Sequence, residues 1–130
     1  ESQIDKLGLS KDVSLIGHVD RAALVDLYNQ SEFFVLSSIS EGFPKVIAEA
    51  SNFGCVPMVS SVSAIAQYVK HQKNGFVVSP ITAEGLKIQL AVILKLDTTA
   101  YQNLIKSGQE FVQKFTFQHY RDRVLTEILS

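Results

Sequence analysis

Two acidic residues, Glu41 and Glu49, offer the most informative chemistry in this chain. They flank the segment Gly-Phe-Pro-Lys-Val-Ile-Ala, which follows an apolar stretch and has the pattern of a helix starting near Pro44. The free N–H groups and the dipole of a helix N-terminus attract phosphate. Carboxylates there would repel that anion unless they bind hydroxyl groups, and sugar and ribose diols fit that role.

Two interpretations of this acidic pair are open from the pair alone. Surface helices often carry glutamates, and an acidic residue near a helix N-terminus is favoured electrostatically. Alternatively, eight residues of helical rise separate the two carboxylates by roughly 12 Å, which is about the reach of a ribose–diphosphate–sugar unit. The second interpretation predicts a nucleotide-sugar site, and the surrounding sequence favours it.

The bulk composition is that of a soluble globular domain. The chain has 130 residues, 46% hydrophobic and 19% charged residues, and a net charge of −1. No basic cluster is present, so we expect no nucleic-acid partner. The lone cysteine, Cys55, fits a buried strand better than a disulfide framework, and the three histidines lack metal-ligand spacing. We therefore expect one domain over residues 1–130 and no metal. Because the chain opens at Glu1 without methionine, we also expect it to be part of a longer protein.

Apolar stretches alternate with helical patterns along the first 80 residues. This alternation predicts a Rossmann-like three-layer α/β/α fold with a short parallel sheet of about four strands, followed by C-terminal helices. The predicted strands are Val13–Ile16, Phe33–Leu36, Val56–Ser60 and Phe76–Val78. In such sheets ligands bind beyond the carboxyl ends of the strands. The Glu41–Phe43 segment, the Gly17–Val19 loop and residues 60–63 all follow a predicted strand, so we expect them at one edge.

Taken together, these motifs resemble the C-terminal half of a family-4 retaining glycosyltransferase of the GT-B fold. The resemblance covers nearly the whole chain and rests on motifs that occur in the family's order. They are Val13-Ser14-Leu15-Ile16-Gly17-His18-Val19, Phe33-Phe34-Val35-Leu36-Ser37-Ser38, Ser40-Glu41-Gly42-Phe43-Pro44 with Glu49-Ala50, Gly54-Cys55-Val56-Pro57, and Asn74-Gly75-Phe76. The combination of E-G-F-P-x-V-x-x-E-A with G-x-x-P and N-G is its most specific part.

The resemblance implies a role for each candidate residue. Glu41 would approach the donor-sugar hydroxyls as the catalytic residue, by orientation and charge stabilisation, and Glu49 would hold the ribose hydroxyls. The other donor-binding residues would be Gly42, Phe43, Pro44, Lys45 and Val46, whose backbone N–H groups face the sugar and diphosphate where they have one. The nucleobase would lie near Gly17, His18 and Val19. No cofactor or metal is implied, because helix dipoles and basic side chains neutralise the leaving diphosphate.

The departures from the family pattern shape the remaining expectations. The basic diphosphate-binding pair, two strands between the first and second strands here, and the acceptor-binding N-terminal domain are absent. Ser63-Ala64 replaces the usual Gly-Gly, and Gln67 replaces an acidic residue. We therefore expect the fragment alone to be inactive and its uncovered sheet edge to allow a homodimer. The longer protein would transfer sugar to a glycan or lipid-linked acceptor in the cytoplasm, at the inner membrane face.

Two alternative functions compete with this interpretation. One is a GT-B-like binding or interaction module that has lost catalysis, which the changes at Ser63-Ala64 and Gln67 favour and the two glutamates oppose. The other is a different nucleotide-binding α/β protein, such as a sugar epimerase of the same fold. That alternative leaves the E-G-F-P-x-V-x-x-E segment unexplained.

Overall fold

The computed structural model describes residues 3–40, 42, 45–62 and 64–127. Within them, one sheet of three parallel strands has the order β1-β2-β3, and Phe33 is paired with Val56 while Met58 is paired with Phe76. The strands are β1 (Phe33–Leu36), β2 (Val56–Ser60) and β3 (Phe76–Val78). The predicted α/β class with a parallel sheet is confirmed.

Helices alternate with these strands and then continue to the end of the described chain. They are α1 (Gln3–Lys6), α2 (Arg21–Asn29), α3 (Lys45–Asn52), α4 (Ile65–Tyr68), α5 (Ala83–Ile93), α6 (Thr98–Val112), a 3₁₀ turn (Gln113–Phe115) and α7 (Phe117–Glu127). Side chains cap several starts: Asp20 accepts from the Ala23 N–H at 2.9 Å, and Asp97 accepts from the Ala100 N–H at 2.8 Å. Each cap satisfies a backbone donor that the helix itself leaves without a partner.

Helices cover both faces of the sheet. On one face, Val56 and Met58 of β2 pack with Phe76, Val78 and side chains of α5 and α6. On the other face, Val59 packs with Ile47 of α3 and Ile65 of α4. Strand β2 is buried along its whole length, so its apolar residues need not alternate with polar ones, as expected for a central parallel strand.

Helix α6 crosses the amino-terminal edge of the sheet. Near its start, the Tyr101 hydroxyl donates to the Glu32 carbonyl, just before β1, at 3.4 Å. Near its middle, Gly108 lies against Ser51 of α3, where an added Cβ would still keep an ordinary distance of 3.6 Å. Near its end, the Phe111 ring lies 6.3 Å from the Tyr68 ring. The amino-terminal edge is thus closed by one helix.

The predicted strand Val13–Ile16 is wrong: residues 13–16 form no strand, and the sheet of the described chain has three strands rather than about four. Leu15 and Ile16 are 81% and 56% exposed. Apolar residues favour a strand only when a neighbouring strand satisfies the backbone and buries the side chains. Here no described strand lies beside this segment, so it stays irregular and solvent-exposed.

Helix α4 is also shorter than predicted. The pattern from Ser63 predicted a helix reaching about Gln72, but α4 ends at Tyr68 and Val69 is extended. The Asn74 side chain accepts from the Lys70 N–H at 2.7 Å and donates to the Tyr68 carbonyl at 3.0 Å. These side-chain bonds take over the backbone groups that a longer helix would use, so they favour a turn.

The Asn74-Gly75 turn into β3 requires glycine because of close packing. A Cβ on Gly75 would lie 2.6 Å from the Pro57 carbonyl oxygen and 2.9 Å from Val69 Cγ1. The turn that the Asn-Gly pair predicts is therefore present. Its glycine is needed for a steric reason, which the pair alone does not reveal.

Among the helices described, none combines the length and apolar character needed to span a membrane.

Candidate functional site

The carboxyl edge of the sheet is where the candidate residues gather. Strands β1, β2 and β3 end there at Leu36, Ser60 and Val78, opposite the edge that α6 covers. Parallel α/β sheets bind ligands at this edge because strand ends, loops and helix N-termini converge there. The loop after β1 leads directly into α3.

Hydrogen bonds join the three strand ends to one another. The Ser60 hydroxyl, on a fully buried side chain, donates to the Ser38 carbonyl at 2.5 Å. The next N–H, that of Ser61, donates to the Val78 carbonyl at 3.2 Å. The loop after β1 is therefore fixed to β2, and β2 to β3, at the point where the candidate site begins.

Helix α3 is oriented by its buried side. Ile47, Ala48, Ala50 and Ser51 are buried against the sheet and α6, whereas Lys45 and Glu49 are exposed, one turn apart. Val46 is half-buried between these two surfaces. The first turn of α3 thus presents a cation and its second turn an acid to solvent.

The remaining residues of the motif are described only in part. Gly42 is exposed, and an added Cβ there would meet no described atom within 4 Å. Glu41, Phe43, Pro44 and Ser63 lie outside the described residues. The separation of Glu41 and Glu49 therefore stays a prediction.

Glu49 faces the C-terminal half of α2. Tyr28 of α2 stacks on Phe53, with ring centroids 5.7 Å apart, and Phe53 lies one helical turn beyond Glu49. Burial raises the pKa of Tyr28, and the negative charges of Glu49 and Cys55 raise it further. The phenol stays protonated near neutral pH, so a neutral hydroxyl lies within electrostatic range of the Glu49 carboxylate.

The predicted nucleobase loop, Gly17–Val19, immediately precedes α2. Gly17 has φ = 73°, His18 is exposed and Val19 is half-buried. Because α2 leads through a short turn into β1, it runs antiparallel to that strand, and Tyr28 packs on Phe34. The start of α2 and the loop before it therefore lie toward the carboxyl edge, on the same side of the sheet as α3.

Cys55, another titratable residue of the core, has surroundings typical of a packed interior. The Cys55 thiol donates to the carbonyls of Tyr28 and Ser31 at 3.1 and 3.2 Å, and burial followed by the nearby Glu32 charge raises the pKa of Cys55. This bonding fits the predicted core role. No group of three or more His, Cys, Asp or Glu residues able to hold a metal occurs in the described part of the chain.

One cavity lies away from these residues. It has a volume of about 200 Å³ and is lined by Glu32, Phe33, Ile93, Leu96, Asp97, Thr98 and Tyr101. These residues belong to the amino-terminal edge of β1 and to the α5–α6 junction, opposite the candidate site. Its size and mainly apolar lining fit a packing gap between two helices and the sheet.

The sequence placed residues 60–63 at this edge but gave Ser60 no role, and it did not connect Tyr28 with the site. A weak signal for Ser60 was available, since it is the single hydroxyl residue in the otherwise apolar β2. Tyr28 was identified only as part of the apolar face of α2, and its proximity to Glu49 follows from packing between two helices.

Comparison with known proteins gives a consistent result. The family model of glycosyl transferases group 1 matches residues 1–111. An uncharacterized glycosyltransferase of Methanocaldococcus jannaschii is 35% identical over 81 residues, covering 62% of this chain and 21% of that protein. Sucrose-phosphate synthase of Thermosynechococcus elongatus matches with a TM-score of 0.81 and 26% identity, over 98% of this chain and 32% of that one.

A further solved structure shares the fold. HepE of Anabaena, solved in complex with UDP-glucose, has a TM-score of 0.80 at 22% identity, over 95% of this chain and 34% of that one. The chain thus spans about a fifth to a third of the length of these proteins. Since the family model covers most of its residues, the chain belongs to the glycosyl transferases group 1 family.

Proposed function

We propose that this chain is the donor-binding domain of a glycosyltransferase, which transfers a sugar from a nucleoside diphosphate sugar with retention of anomeric configuration. Family membership supports sugar transfer. The observation that carries the proposal is the exposed Glu49 on α3, the helix that directly follows β1 at the open carboxyl edge.

The proposed roles follow the chemistry of the α3 start. Backbone N–H groups from Gly42 to Val46 receive the diphosphate, and the Lys45 ammonium adds positive charge to the dipole of α3. Glu49 accepts hydrogen bonds from the ribose diol, while Glu41 orients the sugar and stabilises charge as the leaving group departs. The Gly17–Val19 loop faces the nucleobase. No metal or cofactor is part of this proposal.

The rest of the active site is proposed to lie in a longer protein. Residues 1–130 form one domain of it, and an N-terminal domain supplies the acceptor pocket, so this chain alone binds donor weakly and does not turn it over. The acceptor is a glycan or a lipid-linked sugar, at the cytoplasmic face of the inner membrane in a bacterial polysaccharide pathway. By itself, the chain forms homodimers through the outer edge of β1.

A second candidate is an interaction module with the same fold and no donor binding. Ala64 and Gln67 favour it, because they replace the glycine and the acid that the family pattern has in that loop. A folded chain that binds no nucleotide would support this candidate and contradict the first.

Calorimetric titration tests the donor site. The wild-type chain is titrated with UDP, GDP and ADP, and the nucleotide that binds is compared with its deoxyribose counterpart. Glu49→Gln removes a charged acceptor, so we expect a loss of roughly tenfold or more in affinity for the ribonucleotide. The same substitution should lower the affinity for the deoxyribonucleotide less, because that ligand lacks one hydroxyl of the diol.

Glu110→Gln serves as the matched control, since Glu110 is also an exposed helical glutamate but lies on α6, away from the carboxyl edge. Its affinity should equal that of the wild type. Equal ribonucleotide affinity in Glu49→Gln and wild type would contradict the assignment of the ribose to Glu49.

A further inference from the structure

The Ser60 hydroxyl forms an unusual hydrogen bond, which reaches from the end of β2 to the loop after β1. Ser60 is the last residue of β2, and its side chain is fully buried in a strand whose other residues are apolar. Its hydroxyl donates to the carbonyl of Ser38, in the loop after β1, at 2.5 Å. A buried hydroxyl is costly unless it is bonded, and this one is bonded across to another strand's loop rather than within its own strand.

The bond matters because Ser38 lies at the start of the loop that leads to α3. Ser38 is the second residue after β1, and the chain from there to the start of α3 at Lys45 contains the proposed diphosphate-binding segment. Fixing the Ser38 carbonyl fixes where this segment leaves the sheet. Its other end is fixed by the buried face of α3.

We propose that Ser60 is a positioning residue for the donor diphosphate: its hydrogen bond to Ser38 holds the loop after β1 so that the N–H groups of Gly42 and of the first turn of α3 face the ligand. This inference rests on the proposed function of that loop. Ser60 does not touch the ligand itself. It reduces the conformational freedom that binding would otherwise have to remove.

The expected effect is specific for the diphosphate. Ser60→Ala removes one hydrogen bond without adding volume, so we expect the affinity for the nucleoside diphosphate to fall about fivefold. The affinity for the corresponding nucleoside monophosphate, which has a shorter phosphate chain to place, should fall less. A purely structural loss of stability would not distinguish the two ligands.

The chain provides a matched control in Ser51. This serine is equally buried, at 1% exposure, and its hydroxyl has no hydrogen-bond partner among the described residues. Ser51→Ala should therefore leave both affinities unchanged. Ser60→Cys, which keeps the side-chain shape and a weak donor on a slightly larger atom, should restore part of the diphosphate affinity.

Calorimetric titration with UDP and UMP, or with the guanosine or adenosine pair if GDP or ADP is the nucleotide that binds, measures these effects, and thermal unfolding confirms that each variant is folded. Wild-type diphosphate affinity in folded Ser60→Ala would overturn the inference, as would equal losses for both ligands. If the wild-type chain binds none of UDP, GDP and ADP, the proposed donor site itself fails. Binding that depends on Glu49 but not on Ser60 would overturn only the positioning role.

Discussion

At the residue scale, the candidate site combines exposed charges with buried polar groups that are bonded or neutral. Glu49 is exposed on α3, while the Tyr28 phenol of α2 is buried and stays neutral because burial and the Glu49 carboxylate both raise its pKa. Ser60 is buried and bonded to the loop ahead of α3. The charged groups stay exposed to water and the buried polar groups are uncharged, which keeps the cost of desolvation small.

The raised pKa values of three side chains predict that the folded chain loses stability at alkaline pH. Burial is the main cause that raises the pKa values of Tyr28, Cys55 and Tyr101. A raised folded-state pKa means that the folded chain holds its proton longer than the unfolded chain does. Their contribution to the free energy of unfolding is therefore complete below the unfolded pKa values and is lost as pH rises past them, from about pH 8.5 for a thiol and about pH 10 for a phenol.

Urea unfolding between neutral pH and pH 11 tests this prediction. The free energy of unfolding should be level at first and should then decrease above about pH 8.5. Cys55→Ala should remove the earliest part of the decrease, because the phenols titrate later. A free energy that stays constant across this range would contradict the buried, protonated state of these groups.

At the element scale, α6 is the helix that closes the amino-terminal edge and leaves the carboxyl edge as the place for ligands. Its contacts reach from Glu32, before β1, to Tyr68 on α4. The same helix packs Gly108 against Ser51 of α3. The position of α3, and so of Glu49, depends on α6 being formed.

A substitution at the N-terminal cap of α6 tests how much the start of this helix contributes to stability. Asp97 caps the helix through the Ala100 N–H at 2.8 Å, and Asp97→Ala should lower the free energy of unfolding by about 1 kcal/mol. Urea denaturation measures the change. Thr98→Ala, at the exposed neighbouring position, should change stability by less than about 0.5 kcal/mol. Equal effects of both substitutions would show that the cap is not responsible.

At the scale of the whole molecule, the two edges of the sheet differ. On β3, the His71 Nδ1 atom accepts the Val77 N–H at 3.1 Å, so a side chain covers part of that edge. On β1, no described strand lies along the outer edge, and Val35 is 46% exposed. Leu15, Ile16 and Ile39 are also exposed. An uncovered apolar strand edge of this kind favours association.

Self-association through β1 is therefore expected to depend on Val35. Val35→Lys places a charge on the edge strand, and sedimentation at increasing concentration should show less dimer than for the wild type. Ile88→Lys is the control, since Ile88 is similarly exposed at 53% but lies on α5. A purely monomeric wild-type chain, or an equal reduction by both variants, would contradict association through β1.

Much of the fold follows from local patterns in the sequence. The bounds of all three strands were predicted correctly, because continuous apolar stretches between turn residues are typical of buried parallel strands. The cap at Asp20 is likewise local, since an aspartate just before an apolar helical pattern predicts a helix start there. The strand at Val13–Ile16 and the length of α4 were wrong. The first depends on a neighbouring strand, and the second on hydrogen bonds from the Asn74 side chain, a few residues beyond the helix, that compete with further helical bonds.

The sequence by itself determined the alternation of strands and helices, the acidic pair around a helix start, and the family, since each of these depends on residue types at short spacing. Only the tertiary structure decided that α6 closes the opposite edge, that Tyr28 lies within electrostatic range of Glu49, and that Ser60 bonds to the loop after β1. These relations join residues far apart in the chain. Packing in three dimensions, which no local pattern encodes, brings them together.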